Sequence, residues 1–96
     1  MRCLKIRNKE NNKEIFSLME NDEIEISDIV KDNETKKVYI AFKSETHRNN
    51  IIFRLGWDVN SVFDERPCSF IEYRRDNKYC LSLTIKLKYV NVNIES

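Results

Sequence analysis

Ninety-six residues with 41% hydrophobic and 34% charged side chains and a formal net charge of +1 describe a chain able to bury one core beneath a heavily charged surface. That balance excludes the low hydrophobicity and high net charge of a disordered chain, and no apolar run approaches the roughly 20 residues of a membrane-spanning helix. The expectation is a single α+β domain over residues 1–96, with an antiparallel or mixed sheet of about four to five strands and two helices on one face.

Along the chain, Met1–Arg7 alternates polar and apolar residues like a strand without an apolar leader segment, and the expectation is a cytoplasmic protein, in the host cytoplasm if phage-encoded. In Asn12–Glu20, Ile15, Phe16, Leu18 and Met19 fit a short helix opened by Asn12. The same residues could form the return strand of an N-terminal hairpin, and the helix is the preferred reading. Glu23–Val30 and Val38–Phe42 read as paired strands about a polar turn at Lys31–Thr35, the second apolar on both faces as in a central strand.

Ser44–Gly56 carries both ends of a helix. Ser44 is the N-cap, Gly56 sits at the C-terminal stop, and His47, Ile51 and Leu55 form one stripe with Ile52 beside it. Asp58–Glu65 adds a helical turn before Pro67. Cys68–Arg75 and the segment from Tyr79 then form a hairpin. A two-residue loop at Asp76-Asn77 would set Glu72 opposite Leu81, a carboxylate on the apolar face. The preferred register therefore uses Asp76-Asn77-Lys78 as the loop and pairs Tyr73 with Leu81. At Tyr89-Val90 the alternation changes phase, as at a bulge or a strand that changes packing partner. The resulting order through Arg75 is compatible with a ferredoxin-like or RNA-recognition layout. The glycine and aromatic spacing of that signature are missing from Lys36–Phe42.

No catalytic, metal or cofactor site is expected. His47 is the sole histidine and Cys3, Cys68 and Cys80 have no ligand spacing, so the usual zinc patterns are excluded. A single glycine, Gly56, rules out a glycine-rich phosphate loop. The carboxylate pairs Asp22-Glu23 and Asp64-Glu65 lie in polar segments and read as solvated surface.

Charge layout is the informative feature. Residues 1–35 carry six basic and nine acidic side chains and residues 36–96 eleven and seven. Glu20, Asp22, Glu23, Glu25, Asp28, Asp32 and Glu34 form an acidic edge suited to a basic protein partner such as a nucleic-acid-binding enzyme or complex. Arg74, Arg75, Lys78, Lys86 and Lys88 offer a competing, basic surface for nucleic acid, although that reading finds no aromatic pair on the face to stack bases. The abundance of Asn, Ile and Lys beside one Ala, one Gly and one Pro resembles translation from an AT-rich genome, an association without a mechanism. Together these features point to a small non-enzymatic binding protein, an inhibitor or accessory factor of a phage or mobile element that occludes a macromolecular partner. The alternatives are a nucleic-acid-binding module using the basic hairpin and a self-assembling subunit, such as a homodimer, that donates the Tyr89–Ile94 strand. No membrane partner is expected.

Overall fold

The computed structural model of the chain describes residues 1–27 and 30–96. Leu4 and Ile6 alternate with Cys3, Lys5 and Arg7, and that period of two becomes β1 (Cys3–Asn8). The segment expected as a second helix is β2 (Glu14–Met19) instead. Asn12 is not a helix cap but a turn residue, with φ 59°, and beyond it Leu18 and Phe16 stand opposite Leu4 and Ile6. Two apolar residues with a matching pair already waiting across the ladder outweigh the weak helical spacing of Ile15 and Met19.

β3 (Ile24–Ile26) and β4 (Val30–Asp32) lie along one edge of β5 (Thr35–Phe42). The helix α1 (Glu45–Asp58) begins as expected: the Ser44 hydroxyl accepts the His47 N–H at 3.3 Å. It does not stop at Gly56 but continues to Asp58, and the Val59 N–H closes it on the Leu55 carbonyl at 3.1 Å. A single 3-10 turn (Asn60–Val62) follows, then β6 (Cys68–Arg75), β7 (Lys78–Lys86) and β8 (Val90–Glu95).

The expected single sheet with two helices on one face is thereby corrected. Among the described residues the chain forms eight strands in two antiparallel sheets and one α-helix. The smaller sheet runs β2-β1-β8 and the larger β3-β5-β7-β6, with β4 also on β5. The phase change at Tyr89-Val90 marks the turn at which the chain leaves β7 in the larger sheet and enters β8 in the smaller one. Leu4, Ile6, Phe16, Leu18, Val90 and Val92 from the smaller sheet and Ile26, Val38, Ile40, Phe42, Leu81, Leu83 and Ile85 from the larger form one buried cluster, joined by Ile51 and Leu55 of α1. The other face of the larger sheet is left without a covering layer.

The hairpin register is also corrected. Arg75 pairs with Lys78 and Glu72 with Leu81 across a two-residue loop, Asp76-Asn77. Both loop residues adopt positive φ, 51° and 62°, as a type I′ turn requires, and this turn matches the twist of the flanking strands. The carboxylate that made this register unattractive is met by Arg48, a buried helix residue whose guanidinium lies 3.4 Å from Glu72 and 3.8 Å from Glu45. The Glu72 side chain is itself 46% exposed, so solvent and the ion pair from α1 together accommodate a carboxylate on the face it shares with Leu81.

Candidate functional site

The acidic residues do not form one uninterrupted surface. Glu20 turns inward: its carboxylate accepts the Ile26 N–H at 2.9 Å and lies 3.4 Å from Arg2. These two contacts, the first above all, hold its pKa below the ordinary value. Asp22 and Glu23 are exposed in the turn before β3, and Glu25 on β3 pairs with Lys78 at 3.5 Å. Asp32 and Glu34 lie at the distant β4–β5 turn, and Asp28 falls outside the described residues. A shallow concavity lined by Glu20, Asp22, Glu23 and Glu25 also takes in Arg2, Lys43 and Lys78, so cations interrupt the negative field at that end of the edge.

The basic set is divided by the corrected register. Arg74 stands opposite Tyr79 on the same side as the core; its guanidinium lies 4.0 Å from the Tyr79 ring centre and donates to the Lys78 carbonyl at 3.3 Å. Arg75, Lys78 and Lys86 belong to the opposite, uncovered face. Lys88 is in the β7–β8 turn, 3.5 Å from Glu65, with its ammonium 5.2 Å from the Tyr89 ring centre.

On that uncovered face the register brings together what the sequence reading kept apart. Tyr73 pairs with Cys80, and Cys80 with Ala41, next to Tyr39 on the same face of β5. Tyr39, Tyr73, Cys80, Arg75 and Lys78 line one concavity with Glu25 and Ser27. Burial, with Cys80 beside it, pushes the Tyr73 hydroxyl above its usual pKa. Tyr39 and Tyr73 therefore share with Arg75, Lys78 and Lys86 a face that the three-residue loop would have left without an aromatic pair. The positive-φ preference of Asp-Asn was the signal that could have found it.

α1 carries a second feature. Ile51 and Leu55 point into the core, and on the opposite side of the helix Phe53 and Trp57, four residues apart, are each 80% exposed. This stripe was legible in the spacing of the helix but was not singled out. Arg54 fixes the helix beside β2 by donating to the Ser17 carbonyl at 3.2 Å and lying 4.9 Å from the Phe16 ring centre.

His47 is exposed on α1, while Cys68 is buried against the core with its thiol pushed up to about 12. Burial of that kind opposes formation of a nucleophilic thiolate. Cys3 lies in the smaller sheet, and Cys68 and Cys80 occupy opposite faces of the larger one. No protein-family model, curated protein or solved structure matches this chain.

Proposed function

We propose that this protein is a non-enzymatic binding protein that occludes a macromolecular partner, in the manner of an inhibitor or accessory factor of a phage or mobile element, and that Phe53 and Trp57 anchor the contact. The observation that carries the reading is the pair itself. Two large aromatic side chains, one of them the sole tryptophan, stand 80% exposed on the outward side of a helix whose inward side is fully used. Aromatic anchors of this kind dominate the energetics of protein interfaces when a partner desolvates them. The residue bias noted above supplies the link to mobile elements.

Trp57→Ser and Phe53→Ser test the anchor, because neither removes core contacts and both should melt within a few degrees of the wild type. In capture from a host-type lysate after nuclease treatment, each is expected to weaken retention of a stoichiometric protein partner by about tenfold or more. Retention equal to wild type in both variants would remove the anchor. Charge reversal at Glu23 and Glu25 in the same assay tests whether the acidic edge contributes.

A second reading, nucleic-acid binding, is favoured by the joint placement of Tyr39, Tyr73, Arg75, Lys78 and Lys86 on the uncovered sheet face. It requires affinity for single-stranded RNA or DNA that falls steeply with salt and is reduced by Tyr73→Ala. A flat salt response sets it aside.

A further inference from the structure

The edges of the two sheets are not treated alike. On β3, Ile24 exchanges backbone hydrogen bonds with Asn21, the Ile26 N–H is taken by Glu20, and Arg2 donates to the Ile26 carbonyl. On β2 the Ser17 carbonyl is occupied by Arg54, and on β8 the Val92 carbonyl accepts from the Lys36 ammonium at 2.6 Å. Each of these side chains sits where a pairing strand would have to lie, the usual defence of an edge.

β6 is different. The two-residue loop makes Arg75 and Lys78 a hydrogen-bonded pair, so Tyr73, Ile71 and Ser69 exchange bonds with β7. The Lys86 N–H donating to the Pro67 carbonyl at 2.7 Å continues the same phase. Cys68, Phe70, Glu72 and Arg74 therefore direct their backbone groups outward. Asn60 closes the first of these, accepting from the Cys68 N–H and donating to its carbonyl, both at 2.9 Å. Among the described residues no hydrogen bond reaches the outward groups of Phe70, Glu72 or Arg74. Ile71, 69% exposed, and Phe70, 41% exposed, flank this stretch on its two faces.

We propose that β6 pairs antiparallel with β6 of a second copy of this chain, about a two-fold axis at Tyr73. Three two-fold registers join free groups of different residues, and charge and access choose among them. Centring on Glu72 sets the two Glu72 carboxylates directly opposite each other. Centring on Ile71 directs Arg74 at the Cys68 backbone, which Asn60 already occupies. Centring on Tyr73 sets Glu72 of each copy opposite Arg74 of the other, two reciprocal unlike-charge pairs, and joins the backbone groups of those same residues. Charge on an edge strand ordinarily repels a second strand, but here the signs alternate so that self-pairing joins opposites. The two-fold axis runs perpendicular to the sheet, so both helices fall on one side of a continuous sheet and the two Tyr73 rings meet on the uncovered face.

The test is backbone amide exchange of the unmodified protein at rising concentration, read residue by residue by NMR alongside the mass in solution. The expected result is a shift toward twice the 11.6 kDa chain mass, with exchange at Glu72 and Arg74 slowing at least tenfold while the Phe70 amide stays fast. Arg74→Glu should abolish both changes, and so should Arg74→Pro, which deletes an outward N–H without touching the β6–β7 ladder. A mass that stays at one chain, concentration-independent exchange at Glu72 and Arg74, or association that survives Arg74→Pro would each overturn the proposal. Slowing at Phe70 and Glu72 without Arg74 would overturn the register.

Discussion

Glu20 illustrates how a residue of the acidic segment becomes part of the framework. Its carboxylate caps the Ile26 N–H and faces Arg2, contacts possible only because the chain doubles back through Asp22 and Glu23 to lay β3 beside β5. The folded carboxyl titrates below its ordinary value of 4.5. Its stabilisation is therefore complete above that value and is lost as the pH falls through the lower, folded one. Glu20→Gln should lower the melting temperature at pH 7 and flatten its further decline below pH 4.5 relative to wild type. Parallel melting curves against pH for the two proteins would show that the contact carries no proton linkage. From sequence Glu20 could only be grouped with its acidic neighbours, because Ile26 and Arg2 are brought to it by tertiary pairing.

At the scale of the element, the β6–β7 hairpin shows how a local preference and a face preference can disagree. Placing Tyr73 opposite Leu81 would keep apolar residues together, whereas Asp76 and Asn77 favour the two-residue turn with positive φ at both positions. The turn prevails because Glu72 lies at the exposed rim of the core face, where water and Arg48 of α1, 5.5 Å from the Tyr79 ring centre, both meet its charge. A strand-by-strand reading has no access to that guanidinium. Asn77→Val, forcing a β-branched residue into the left-handed region, should cost about 1–2 kcal/mol in chemical denaturation, while Asn77→Gly should match or exceed wild-type stability. Equal stability of Asn77→Val and wild type would contradict the turn assignment. Other elements were readable directly: the Ser44 cap and the Ile51 and Leu55 stripe are local patterns, and α1 keeps both.

For the whole molecule, the consequence of two sheets sharing one core is that strands remote in sequence stand or fall together. Ile6 is fully buried on β1, between Phe16 of β2 and Val92 of β8. Ile6→Ala should destabilise the protein by about 2–5 kcal/mol, with both sheets unfolding in one transition. Loss of the smaller sheet at lower denaturant, with the larger sheet intact, would show that the core is divided. The Cα radius of gyration, 12.6 Å, is close to the ~13 Å of a compact domain of about 100 residues, in keeping with one cluster rather than two.

By itself the sequence determined which residues alternate and where its most regular helix starts, because those features depend on neighbours within a few positions. It could not determine that Asn12–Glu20 is a strand, that β8 belongs to a different sheet from β7, or which face Tyr73 and Arg74 occupy. A period of two states that a strand has two faces without naming the strand beside it, and a shift of one residue exchanges those faces. Only the tertiary structure supplied the partners: Leu4 and Ile6 for β2, β1 for β8, and Arg48 for the carboxylate that decides the hairpin.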